Sequence, residues 1–131
     1  MKPRSSGRGR LSRSAEFERV YRQGRSIANR HLVLYTFPNA SAERPRLGLS
    51  VSRKVGGAVL RNKVKRLLRE SFAHTEGELK GGHDMVVVAR PAAGELAERE
   101  GLAGVDAALS ELIAKAELRV GGASATDGAR P

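Results

Sequence analysis

The chain has 131 residues, no cysteine, and 24 Lys and Arg against 14 Asp and Glu, a formal net charge of +10. That length sets one domain with a real core. The missing cysteine excludes a disulfide framework, a thiol nucleophile and any Cys-based metal site, and no apolar run approaches the roughly twenty residues of a membrane span.

The charge is unevenly placed. Residues 1–69 hold 18 Lys and Arg and only three acids, Glu16, Glu18 and Glu43, whereas residues 70–131 hold six basic and eleven acidic residues. A surface for a polyanion is expected from the first half, with the second half closing the fold. The basic N-terminus has no apolar stretch behind it, so it is not read as a secretory signal. A cytoplasmic, nucleic-acid-rich setting fits best.

In chain order, residues 1–13 carry five basic residues and no acid among Gly, Ser and Pro, the composition of a disordered basic arm. Residues 14–23 form the first predicted helix, with Ser14 as N-cap, Glu16 at the positive end and Gly24 as the stop. Phe17, Val20 and Tyr21 share a face there. Val20 belongs to the core. Phe17 and Tyr21, two of only five aromatics, suit either the core, which spacing alone favours, or stacking on unpaired bases.

Residues 31–37 alternate as a strand, with Leu32, Leu34 and Thr36 opposite Val33, Tyr35 and Phe37. A polar loop over 38–45 leads to a second strand over 46–52. Leu47, Leu49 and Val51 share one of its faces, and the small Gly48, Ser50 and Ser52 leave room on the other.

Gly56 and Gly57 precede a helix expected from about 58 to 73. Leu60, Val64, Leu67, Leu68 and Ser71 fall on one side at 3.6 residues per turn. Asn62, Lys65, Arg66 and Arg69 lie opposite, with Arg61 and Lys63 on the flanks. From 53 to 69 there are seven basic residues (Arg53, Lys54, Arg61, Lys63, Lys65, Arg66, Arg69) and no acid. A solvated face would mix signs at four-residue spacing, whereas Arg61, Lys65 and Arg69 form a like-charge ladder suited to a phosphate backbone. The P-loop spacing is absent, so the glycine pair is not a nucleotide-binding loop.

A mixed linker over 74–84 is followed by a valine-rich strand over 85–89, expected to be buried on both faces. A short helical turn over 93–100 precedes a final amphipathic helix from about 102 to 118, with Val105, Leu109, Leu112, Ile113 and Ala116 inward. Residues 119–131 form a tail expected to be disordered. The fold class is therefore α+β: an α-β-β-α-β-α sandwich over 14–118, with helices covering a small sheet.

No catalytic constellation stands out. His31, His74 and His83 are scattered, no metal-ligand spacing is present, and no paired carboxylates occupy the basic half. Any chemistry is expected from a partner.

The stretch RKVGGAVLRNKVKRLLRE, 53–70, closely resembles the signature of the protein subunit of bacterial ribonuclease P, centred on Arg61-Asn62 and followed by Lys65-Arg66 and Arg69. The segments RLSRSAEFERVYRQG (10–24), NRHLVLYTF (29–37), RLGLSVSRKVG (46–56) and MVVVARP (85–91) are similar to that family's first helix and strands, so the likeness spans about residues 10–118. The resemblance implies an α+β fold with a left-handed βαβ crossover, against the general right-handed preference. It also implies a subunit that binds a catalytic RNA and the 5′ leader of precursor tRNA, so that the RNA removes the leader. Arg53, Lys54, Arg61, Asn62, Lys65, Arg66 and Arg69 would meet RNA, while Phe17, Tyr21 and Tyr35 would line the leader cleft. Mg²⁺ would be held by the partner RNA and not by protein side chains. The alternative is a structural or ribosomal RNA-binding protein without a role in catalysis. A helix-turn-helix DNA binder is disfavoured because strands flank the basic helix.

Overall fold

The valine-rich strand becomes the centre of the sheet. This computed structural model describes residues 14–39 and 43–118; the arm over 1–13 and the tail over 119–131 lie outside them. Strand β4, His83–Ala89, buries Met85, Val86 and Val87 completely. It lies between β2, Leu32–Pro38, which runs antiparallel to it, and β3, Arg46–Val51, which runs parallel. A short β1, Arg25–Ala28, pairs with the outer side of β2, so the order is β1-β2-β4-β3. The parallel β3–β4 pair is joined through a helix, as a βαβ unit requires.

Register divides the side chains between two faces. Leu34, Val87 and Leu49 are level with one another, as are Thr36, Met85 and Leu47. This face is covered by α2, Ala58–Thr75, and α3, Ala92–Ala116. Leu32, Leu34, Leu47, Met85 and Val87 join Val64, Leu67, Leu68 and Phe72 of α2, and Leu96, Val105, Leu109, Leu112 and Ile113 of α3, in one core. The opposite face carries the levels Tyr35–Val86–Gly48, Val33–Val88–Ser50 and Phe37–Asp84–Arg46. Among the described residues α1, Ser14–Gln23, packs there, with Val20 on Val86 and Tyr35, Phe37 and Val88 partly buried around them. Burying a valine such as Val20 contributes about 1.5–3 kcal/mol.

Several elements depart from the sequence expectation. Strand β1 was not expected: its four residues are mostly exposed, and only Ile27 packs against the core. The expected linker over 74–84 is mostly ordered. Helix α2 continues to Thr75, whose hydroxyl donates to the Phe72 carbonyl at 3.3 Å, and a 3₁₀ turn, Glu76–Glu78, follows. Strand β4 begins at His83 because Asp84 is paired within the sheet level. The turn over 93–100 and the final helix are one element, interrupted only at Gly101, whose φ of 58° breaks the helical path. That element closes at Glu117, in the left-handed conformation, where the Leu118 amide bonds to the Ile113 carbonyl. Among the described residues no helix is long and apolar enough to cross a membrane.

Gly24 ends α1 for a reason other than a left-handed cap. A Cβ there would lie 2.5 Å from both the Thr36 and the Val20 carbonyl oxygens. The bare glycine lets the chain turn against β2 without a clash.

Candidate nucleic-acid interface

Helix α2 presents its charged side as expected. Asn62, Arg66 and Arg69 are exposed, Lys63 and Lys65 are half-buried, and Val64, Leu67, Leu68, Ser71 and Phe72 are buried. No acid occupies its first turn, and Gly57 at the N-cap makes no side-chain cap bond. Arg53 and Lys54 are exposed in the turn before the helix, which is tied by the Val55 amide to the Ser52 carbonyl and the Gly56 amide to the Arg53 carbonyl.

Arg61 corrects the simple division into flanks and faces. By helical period it lies between Leu68 and Phe72, within the buried arc. Its side chain is half-buried, and its Nε is enclosed without a hydrogen bond among the described residues. The aliphatic stem packs while the charge stays at the margin.

Ion pairs one turn apart occur on α1 and α3 and, among the described residues, not on α2. On α1, Arg22 meets Glu18 at 3.0 Å; on α3, Arg99 meets Glu95 and Lys115 meets Glu111, each at 3.3 Å and one turn apart. Among the described residues Arg53, Lys54, Arg61, Lys63, Lys65 and Arg66 make no ion pair. Like charges one helical turn apart repel by several tenths of a kcal/mol at the surface. A polyanion relieves every such pair at once, and counterion release adds to the gain.

The second candidate surface is the sheet face beneath α1. The rings of Tyr21 and Tyr35 meet edge to face, with centroids 4.9 Å apart and planes at 83°. Tyr35 is half-buried against the Val20–Val86 pair, while Tyr21 remains 38% exposed. Two of the three expected cleft aromatics are thus together. Phe17 belongs to α1, but its side chain lies outside the described residues.

Two further groups at this face went unnoticed as site residues. Phe37 follows Tyr35 on the same side of β2, and the Arg19 guanidinium lies 6.0 Å from its ring centroid. The alternation of Val33, Tyr35 and Phe37 was a signal for the first; nothing in the sequence linked Arg19 to it. Beside Phe37, the buried Asp84 carboxylate accepts two bonds from Arg46, both at 2.9 Å, and one from Asn39 at 3.1 Å. This network holds the end of the sheet face between β2, β3 and β4.

The remaining polar contacts tie elements together away from both surfaces. Asn29 donates to the Ala108 carbonyl and the Glu111 carboxylate, and accepts from the amides of His31 and Leu32. The Asn29 bond, followed by Lys115, holds the Glu111 carboxyl below its ordinary range. Ser71 of α2 donates to Asp106 of α3, whose other oxygen lies 3.6 Å from His74 Nδ1. Asp106 stands between the serine and the histidine, so this is not a nucleophile–base–carboxylate chain, which needs the histidine in the middle.

A family model described as Ribonuclease P matches residues 6–116. The ribonuclease P protein component of Shouchella clausii is 43% identical over 109 residues, 83% of this chain and 86% of that one. The component from Staphylococcus aureus is 44% identical over 87 residues, 66% of this chain and 75% of its own. Among solved structures, an RNase P protein of Staphylococcus aureus superposes with a TM-score of 0.76 at 36% identity, covering 85% of this chain and 97% of that one. The RNase P protein of Thermotoga maritima gives 0.71 at 35% identity, covering 79% and 93%.

Proposed function

The chain belongs to the ribonuclease P protein family, and on that premise we propose a division of labour between its two surfaces. As a protein component of ribonuclease P it is a subunit of a ribonucleoprotein endoribonuclease, works with that enzyme's RNA and serves 5′ maturation of tRNA. In the proposal, Arg53, Lys54, Arg61, Asn62, Lys65, Arg66 and Arg69 hold the catalytic RNA by its phosphates. The cleft of Tyr21 and Tyr35, with Phe17 on the same helix, holds the single-stranded leader of precursor tRNA.

The observation that carries the first half is that, among the described residues, Arg53, Lys54, Arg61, Lys63, Lys65 and Arg66 on and before α2 make no ion pair, whereas Arg22, Arg99 and Lys115 on the other helices each meet a glutamate one turn away. The second half rests on the edge-to-face tyrosine pair where α1 lies on the sheet face. A leader of no fixed sequence is best held by stacking and charge, because base-edge readout would restrict it.

The chemistry is assigned to the RNA. Among the described residues no group of three or more His, Asp or Glu gathers where it could hold a metal ion, and the surfaces proposed to meet RNA are built from cations and aromatics. In the proposal Mg²⁺ is held by the RNA, since cations and aromatics are poor ligands for it. The protein's own contribution is positioning and neutralisation of phosphate repulsion. The proposed setting is the cytoplasm, which follows from the partner RNAs and not from the fold.

The test is precursor-tRNA cleavage at low Mg²⁺ with the protein, the cognate RNA, or both. Cleavage is expected only with RNA present, and the protein should raise it most where Mg²⁺ is scarce. Cleavage by the protein alone, or no effect of the protein at any Mg²⁺ concentration, would overturn the proposal.

A further inference from the structure

The cleft aromatics do not end at Tyr35. Phe37 stands two residues further along β2, on the same face, about 6.7 Å away by strand rise. It is half-buried against the Val20–Val86 pair, so its place is fixed by packing. Arg19 of α1 is exposed, and its guanidinium lies 6.0 Å from the Phe37 centroid, at the outer reach of a cation–π contact. Glu18, the residue before it, is engaged by Arg22 at 3.0 Å. Arg19 itself makes no ion pair among the described residues.

The floor beneath this pair is unusually well fixed. Phe37 is level with Asp84 and Arg46 across three strands. Asp84 is 1% exposed and takes both Arg46 bonds as well as that of Asn39. The ring's level in the sheet is thereby fixed, and the exposed Arg19 guanidinium stands at its margin.

We infer that Arg19 and Phe37 form a further leader subsite beyond the tyrosine pair. Arg19 contacts a leader phosphate there, Phe37 acts as the positioning residue that holds the guanidinium at the cleft margin, and Arg46–Asp84 fixes the strand level beneath. The inference rests on the leader-cleft reading. It predicts that the subsite acts only on RNA with a leader, and that its loss appears as a loss of charge contact.

The experiment uses reconstituted holoenzyme with precursor tRNAs of increasing leader length and with mature tRNA, each bound over a salt series. Arg19→Ala should weaken precursor binding by roughly three- to tenfold at low salt and make its salt slope shallower by about 0.7, the value for one phosphate of a single strand. Phe37→Leu retains an apolar side chain but removes the ring, and it should lower precursor affinity in the same direction by a smaller factor. Neither change should affect mature tRNA, and the leader length at which the loss begins locates the subsite. An equal loss for mature tRNA, an unchanged slope in Arg19→Ala, or no loss at any leader length would each overturn the inference. Tyr21→Ala is the control. If it lowers precursor binding while Arg19→Ala and Phe37→Leu do not, the cleft stands and the subsite fails. If none of the three does, the cleft reading itself fails.

Discussion

The cation side of α2 and the aromatic side of the sheet face RNA through different physics, and they are built differently. The first comes from one continuous segment, in which Asn62, Lys65, Arg66 and Arg69 are brought together by helical period alone. The second is assembled from α1 and β2, whose rings meet only in the tertiary structure. The first should act through charge and weaken steeply with salt. The second should act through stacking and be felt only by RNA that offers unpaired bases. Among the described residues they also belong to different clusters: α2 shares the main core, while Val20 of α1 packs with Val86.

The harshest way to break the comparison is to remove what both surfaces stand on. Asp84→Ala would leave Arg46 and Asn39 without their shared acceptor at the end of the central strand. It is expected to cost about 3–5 kcal/mol of folding stability, read by denaturant unfolding, and both kinds of RNA binding should fail together. An unaltered unfolding midpoint would show that this network does not secure β4.

Next in size is Lys65→Ala, Arg66→Ala and Arg69→Ala combined. Catalytic-RNA affinity should fall roughly 10- to 100-fold at low salt, with a salt slope shallower by about 2–3 and an unchanged melt. Arg61 is left out because its stem lies in the buried arc, so Arg61→Ala would mix lost packing with lost charge. An unchanged slope in the folded triple variant would remove the phosphate reading of α2.

Asn29→Ala sharpens the comparison from outside both surfaces. Its side chain makes two hydrogen bonds to α3 and accepts two from amides of the β1–β2 turn, and its loss should cost about 1–3 kcal/mol of stability with RNA binding unaltered in the folded protein. The smallest effect concerns Glu111. Its carboxyl titrates below the ordinary 4.5 because Asn29, then Lys115, favour the charged form. A depressed folded pKa contributes stability above the unfolded value, and that stability is lost as pH falls through the folded one. Wild type should therefore show a slight acid-side loss of stability that is smaller in Asn29→Ala, where Lys115 still favours the charged form. Identical acid profiles would contradict the assignment.

What the sequence disclosed follows the same division. Local periodicity gave both sides of α2, the alternation of β2 and β3 and the burial of β4, because each depends on residues a few positions apart. Strand β1 escaped because RSIA has no alternating apolar pattern and sits at an edge. The joining of the last two helical stretches escaped because Gly101 interrupts the path over a single residue. The partial burial of Arg61 is set by how closely α2 packs, which a helical wheel does not report. The Arg46–Asp84 pair, 38 residues apart, and Arg19 over Phe37 depend on chain segments meeting in space. Stacking by Phe17 and Tyr21 was therefore only one of two readings until family resemblance favoured it, while the charged side was visible from physics.

The central claim is that the two surfaces do separate work, and the most direct measurement is the ratio of precursor to mature tRNA affinity at saturating protein. It should be read across a salt series for holoenzymes carrying Tyr21→Ala or the α2 triple substitution. Tyr21→Ala should lower the ratio, losing about 1–3 kcal/mol for each base it contacts, without changing the salt dependence of catalytic-RNA binding. The triple variant should leave the ratio intact while needing far more protein to assemble. If both variants lower the ratio alike, or Tyr21→Ala weakens binding of the catalytic RNA as much as of the leader, the two surfaces are one and the account is wrong.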